Sequence, residues 1–499
     1  LALLQRDAIN LNVEQVDVDD SEIAERRLCS SCVREQFLRS EIEREGEIAG
    51  CFYCEEEGKT ISIEQMANRV EQAFKRHFEL TPNEPSGFEY TMMKETDYQW
   101  YREGQSAANA IADAAEINGT PAEDIRRVLA DRHCDHEAAK MGEECPFDEA
   151  TCYAEKGVDD IEFQTEWSAF ESNLKKQARF FSRTSHVTLA TIFDGLTEHK
   201  TRDGRRAVVD AGPGNALVAL CRARVFQSDA RLIEALKHPD LEIGTPPWRS
   251  APAGRMNARG ISVFYGSTNV DTALAEVRPP VGSRVAVGRF ELIRSIRLLD
   301  VEVLREVFVE GSVFDAEYLR RLERGTFLGR LSERMTRPVM PDDEPFDYLA
   351  TQAIADFLAT EMSLDGMIYP SAQKQLPNAN IVLFHRAARV EAIEIPADTR
   401  FDVQLEIHSE DGPEIDYWVW EEVPPVPPVS SPIEHGPIEI PPALLGSFLS
   451  DEIDDRLPTL KMDLGSLEIH HVSGATILRQ SYPVKRHRST LPPTATAKW

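Results

Sequence analysis

The chain has 499 residues, of which 42% are hydrophobic and 28% charged, so it can bury a sizeable core and has the length of roughly two to four domains. A formal charge of −30 and a pI near 4.9 disfavour nonspecific contact with DNA or an anionic membrane, yet allow a local basic pocket for a small anion. No apolar run is long enough to span a bilayer. The opening LALLQRDAINLNVEQ is too polar for a secretory signal, and eight cysteines are too few for a disulfide scaffold, so the expected compartment is the cytoplasm.

Residues 1–60 read as a polar start followed by two cysteine pairs, spaced C-x2-C-x18-C-x2-C. That spacing suits a four-cysteine zinc site with Cys29, Cys32, Cys51 and Cys54 as ligands. A closed shell of four thiolates leaves no place for water, so this Zn2+ is expected to be structural.

Residues 61–200 read as a helical bundle. In ISIEQMANRVEQAFKRHF, Ile63, Met66, Val70 and Phe74 share a face. YREGQSAANAIADAAEI, ended by Asn118-Gly119, and EWSAFESNLKKQARFF are two more helices, with no strand-like alternation between. His133-Cys134-Asp135-His136, with Cys145 and Cys152, fits no standard metal spacing and reads as solvated helix-end residues. Arg127 and His133 resemble the Arg-x(4–6)-His pair of HEPN ribonucleases, which would give an RNA-cleaving alternative. A charged helix end is the plainer reading, and the acidic balance argues against a nucleic-acid partner.

Residues 205–410 change character. RRAVVDAG, ISVFYG, RVAVGRFELI, IRLLDV, GMIYP and NIVLFH are short β-rich runs, and strand runs continue into RVEAIEI and FDVQLEIHS. Two helices, around 270–278 and 347–362, make this a mixed α/β domain. AVVDAGPGNA faintly resembles a methyltransferase glycine signature, but it lacks the third glycine and reads as a Gly-Pro-Gly turn. Residues 411–499 open with VPPVPPVSSPIEHGPIEIPP, a linker or extended arm. A small helix-and-strand unit over 443–480 and a disordered basic tail are expected beyond it. The fold class is therefore multidomain α+β: a zinc knuckle, an N-terminal helical bundle, then a mixed α/β domain.

The stretch AGRMNARGISVFYGSTNVDTALAEVRPP, residues 253–280, joins a turn bearing Arg255, a strand ending in Tyr265 and a helix bearing Glu276. Glu276 lies on the flank of the apolar face of that helix and is expected to be half sheltered. Upstream stand Arg222 and Arg224; downstream stands Tyr369-Pro370-Ser371, then Asn380-Ile381-Val382-Leu383-Phe384. In this order the pieces resemble the RES domain, over about residues 215–390. The paired cysteines and the helix from Trp167 to Phe181 also look like the HEPN-like segment that precedes some RES domains.

The resemblance implies an ADP-ribosyltransferase-like fold and NAD+ as a consumed substrate, cleaved at the nicotinamide–ribose bond by phosphorolysis, hydrolysis or ADP-ribosyl transfer. It implies catalytic roles for Glu276, Arg255, Tyr265 and Ser371, and NAD+ contacts from Arg222 or Arg224, Arg255, Tyr265 and Ser371. It also implies a toxin-type role, with an antitoxin or regulatory protein as partner. Two departures touch the turn: Ala253 stands where a glycine is usual, and Met256 where tryptophan is usual. A non-catalytic scaffold built on the zinc module is the alternative from a different class.

Overall fold

In a computed structural model the described residues are 19–134, 144–371, 379–409, 412–425, 454–474 and 481–487. Contacts divide the chain into two compact units: residues 1–208 with 301–337, and residues 209–300 with 338–499.

The first unit opens with α1 (Asp20–Glu25), β1 (Arg27–Cys29), α2 (Gln36–Glu45), β2 (Glu47–Gly50), β3 (Glu57–Ser62) and α3 (Ile63–His77). The strands form an antiparallel sheet in the order β1-β3-β2. Ser62 starts α3 through a capping box with Gln65, and Ile63, Met66, Val70 and Phe74 are buried along one face, as their spacing predicts. There follow β4 (Phe78–Leu80), α4 (Gly87–Glu95), β5 (Gln105–Ser106), α5 (Ala107–Ala115), α6 (Gly119–His133), β6 (Cys152–Glu155), α7 (Ile161–Lys176) and α8 (Arg183–Ile192).

The region is not purely helical, because β4, β6 and β5 pair into a small antiparallel sheet. Strands of two to four residues are too short to show alternation, so the sequence hides them. The helix Tyr318–Thr336 also belongs here. Its buried Phe327 meets Phe163 and Trp167 of α7 at ring distances of 5.7 and 5.9 Å. The sequence reading keeps 205–410 continuous; in the structure 301–337 joins the first unit.

The second unit is built on an eight-stranded sheet in the order β16-β10-β8-β9-β13-β12-β11-β7. Its elements are β7 (Val208–Ala211), β8 (Ala219–Phe226), α9 (Asp229–Lys237), β9 (Phe264–Ser267), α10 (Val270–Glu276), β10 (Arg284–Leu292) and β11 (Ile296–Asp300). Then come α11 (Glu344–Thr360), β12 (Gly366–Pro370), β13 (Ala379–Leu383), β14 (Arg400–Ser409), β15 (Gly412–Glu422) and β16 (Leu460–His471). β11 and β12 pair in parallel, while β10 is antiparallel to β8 and β16, and β13 to β9 and β12.

Leu220, Phe264, Phe290, Ile381 and Leu383 belong to the main core, whereas Ala273 of α10 packs with Ala223, Val285 and Val287 in a second cluster. This second cluster fixes α10 on the sheet beside β8, β9 and β13.

The glycine run after β7 is a turn. Gly212 and Gly214 have φ of +107° and +83°, and the Gly212 N–H donates to the Leu217 carbonyl at 2.8 Å. RVEAIEI is not a strand: β16 occupies the edge beside β10, and this segment touches it through one bridge, Val390 to Leu460. β15 pairs with β14 as a hairpin that the sequence reading does not anticipate. Residues 460–471 join the large sheet rather than a separate unit, while most of the proline-rich arm and the last residues of the basic tail lie outside the described residues. Among the described residues no helix is long and apolar enough to cross a membrane.

Candidate active site

α10 is short and well started. Asn269 caps it, its Oδ1 accepting the Thr272 N–H at 2.9 Å. Glu276 is its last residue. Two side chains converge on one oxygen of that carboxylate: Ser371 Oγ donates to Glu276 Oε1 at 2.8 Å, and Asn380 Nδ2 donates to the same atom at 2.7 Å. Ser267 Oγ then donates to Asn380 Oδ1 at 2.8 Å. Ser371 directly follows β12, Asn380 lies on β13 and Ser267 on β9, so the carboxylate is held directly by Ser371 and Asn380, and Asn380 in turn by Ser267. Glu276 itself is exposed rather than half sheltered, because the helix stops there and the side chain leaves its end. Its fixed position comes from hydrogen bonds, not from burial.

Strand register extends the site. Asn380 pairs with Ser267 on one side and Tyr369 on the other, so the three form a row on one face of the sheet. Burial, then the neighbouring Tyr265 and Glu276, push the Tyr369 phenol well above its usual pKa, with Arg255 pulling the other way. The Tyr265 phenol is pushed up to about 12, chiefly by burial. Tyr369 thus lies within electrostatic reach of Tyr265, Glu276 and Arg255.

The turn bearing Arg255 is built around a buried amide. Asn257 Nδ2 faces the carbonyls of Pro252, Ala258 and Ile261 at 2.8, 3.2 and 3.1 Å. Tyr265 Oη donates to Asn257 Oδ1 at 2.9 Å and accepts the Met256 N–H at 3.1 Å. From α11, Thr351 Oγ1 donates to the Arg255 carbonyl at 2.5 Å and Gln352 Nε2 to the Gly254 carbonyl at 2.8 Å. The Arg255 guanidinium sits 5.3 Å from the centroid of the Tyr348 ring. A Cβ on Gly254 would fall 2.6 Å from Asn257 Oδ1 and 2.7 Å from Tyr265 Oη, so any side chain there must displace this hydrogen-bonded pair. Met256 is only 2% exposed, so the unusual residue of the turn is buried.

The family model for the RES domain matches residues 224–406. This segment is a RES domain. Among curated proteins none matches the chain. A chain of the M. tuberculosis MbcT-MbcA toxin-antitoxin complex is similar at 11% identity, covering 39% of this chain and 84% of that one, with a TM-score of 0.19. That overlap is slight and says nothing about chemistry.

The RES segment contains Glu276, Arg255, Tyr265 and Ser371, and the matched range begins just after Arg222. The two early arginines, left open by the sequence, go to different places. Arg222 donates to the Tyr265 carbonyl at 3.3 Å and lies 5.0 Å from the Phe264 ring centroid. Burial, with the charge of Arg224 beside it, lowers its pKa to about 10, which leaves it charged at neutral pH. Arg224 is exposed and pairs with Glu242 Oε2 at 2.7 Å. Tyr348, Tyr369 and Asn380 are candidate-site residues that the sequence reading gave no role, and Ser267, read with Thr268 and Asn269 as a helix cap, bonds Asn380 while Asn269 caps the helix. Tyr369 and Asn380 stood in quoted strands, but only cross-strand pairing sets them beside Glu276.

In the first unit the four sulfurs of Cys29, Cys32, Cys51 and Cys54 lie within 4.8 Å of one another. Cys29 and Cys54 are 3.5 Å apart, and Cys32 and Cys51 3.9 Å. A tetrahedral zinc with bonds near 2.3 Å needs sulfur separations of about 3.8 Å, so the donor set fits that ion. Cys134 is not a solvated helix-end thiol, being bonded to Cys145 as a disulfide. His133 Nε2 lies 3.2 Å from Glu71 Oε1; Asp135 and His136 lie outside the described residues. Arg127 and His133 are six residues apart on α6, about 120° round the helix from each other, so that helix does not aim them at one point.

Proposed function

We propose that the RES domain consumes NAD+ by cleaving the bond between nicotinamide and ribose. The observation that carries this reading is the Glu276 carboxylate, exposed at the end of α10 and pinned by Ser371 and Asn380. Departure of neutral nicotinamide leaves positive charge on the ribose carbon and ring oxygen, as in glycoside cleavage. A carboxylate fixed before the reaction stabilises that charge without reorganising. Arg255, held through its own carbonyl and the turn, and Arg222, beside Tyr265, supply guanidinium charge for the diphosphate. Tyr265 and Tyr369 remain neutral phenols at physiological pH and offer aromatic surface to the nicotinamide ribose. Water, phosphate or a protein side chain completes the reaction as acceptor. A toxin-type role follows from this activity, with a protein partner that holds it in check.

The test is NAD+ loss with purified wild type and Glu276→Ala, with and without phosphate, products resolved by mass. Loss with wild type alone supports the reading, and ADP-ribose, its phosphorylated product or a modified protein names the acceptor. Equal loss with Glu276→Ala, or no loss from folded wild type, overturns it.

A further inference from the structure

We infer that Asn380 and Ser267 are positioning residues that select which oxygen of Glu276 faces the substrate. This rests on the reading of Glu276 as the catalytic carboxylate. An ionised carboxylate only accepts hydrogen bonds. The atom of Asn380 that lies 2.7 Å from Glu276 Oε1 is therefore its NH2 group, since the carbonyl oxygen there would set two acceptors against each other. That choice turns Asn380 Oδ1 toward Ser267, whose hydroxyl must donate to it, as the 2.8 Å contact allows. The three groups form a one-way chain, Ser267 to Asn380 to Glu276, and reversing any one of them breaks another.

The anchor is rigid. Ser267 and Asn380 are each 3% exposed and are register partners on neighbouring strands. Glu276, by contrast, ends a seven-residue helix and is exposed. With Ser371 also donating, Oε1 is occupied by two donors, whereas Oε2 takes no hydrogen bond from any described residue. Oε2 is thus the oxygen left to the ribose. Ser267 does this from behind Asn380, and its effect on turnover passes through the amide.

The experiment uses the full chain and the variants Asn380→Leu, Ser267→Ala and Ser267→Thr, with thermal midpoints measured for each. For Asn380→Leu, kcat for NAD+ consumption falls roughly 10- to 100-fold while KM stays within about 3-fold, since orientation rather than binding is lost. Ser267→Ala shows the same split at smaller size, about 3- to 10-fold, and Ser267→Thr, which keeps the donor, recovers most of kcat. Wild-type kcat in folded Asn380→Leu, or a KM change with kcat intact, overturns the inference.

If wild type consumes no NAD+, it is the functional reading that fails. The hydrogen-bond chain is then judged by urea unfolding of Asn380→Leu, Ser267→Ala and the double variant: if the chain exists, the double variant loses less stability than the sum of the singles. Strict additivity overturns the chain.

Discussion

Tyr265 Oη donates to Asn257 Oδ1 at 2.9 Å, and this bond ties the strand beneath the site to the turn that carries Arg255. Asn257 is 3% exposed and its amide also faces three carbonyls. Asn257→Ala leaves those carbonyls and the Tyr265 hydroxyl without their partner. The expected loss is about 2–3 kcal/mol of stability. Urea unfolding should show a lower midpoint, and KM for NAD+ should rise as Arg255 loses its fixed turn. Wild-type stability in Asn257→Ala would sink this account of the turn.

Gly254→Ala tests the close approach at the same place. Its new Cβ meets Asn257 Oδ1 and Tyr265 Oη together, so turn and ring must separate. NAD+ consumption should fall roughly 10-fold or more with circular dichroism unchanged. Tyr265→Phe removes one of the two clashing atoms, so the double variant should lose less than the sum of the singles. Strict additivity would show that the two positions do not touch.

The site tyrosines set an alkaline limit. In the folded chain Tyr265 ionises at about 12, and Tyr369 well above its usual value. In the unfolded chain a phenol ionises near 10. Between these values the unfolded state has released a proton that the folded state keeps, so stability is whole below pH 10 and falls as pH rises toward 12. Tyr265→Phe should flatten part of that fall in a comparison of unfolding midpoints across this window. Activity should show no phenolate limb below pH 10; a limb at pH 8–9 removed by Tyr265→Phe would contradict the assignment.

The cysteine cluster makes a separate prediction. Metal analysis of the purified chain should find about one zinc, and Cys51→Ser should abolish it. Because such an ion contributes folding energy, a strong chelator should lower the thermal midpoint of the wild type and leave Cys51→Ser unaffected. Full zinc content in Cys51→Ser would rule out the four-thiolate site.

Much of the candidate site was legible because its residues follow one another in a recognisable order: the turn with Arg255, the strand with Tyr265, the helix with Glu276, then Ser371. The positioning row was not legible. Ser267 and Asn380 are 113 residues apart, and no local pattern announces that β9 and β13 pair in that register. Arg222 and Arg224 show the same limit at short range. Two residues apart on β8, they share a face by alternation. One lies opposite Gly288 and turns to Tyr265; the other lies opposite Ala286 and pairs with Glu242.

The sequence by itself determined the features that run along the chain: the buried stripe of α3, the spacing of Cys29, Cys32, Cys51 and Cys54, and the ordered residues of the RES domain. These depend on helical period and on a few residues of reach. Tertiary structure alone decided that 301–337 joins the first unit and that 460–471 completes the sheet edge. It also decided which arginine meets Tyr265 and which oxygen of Glu276 receives Ser371 and Asn380. Each of these is a choice between partners distant in sequence, and only packing and strand register, acting on the whole fold, can make it.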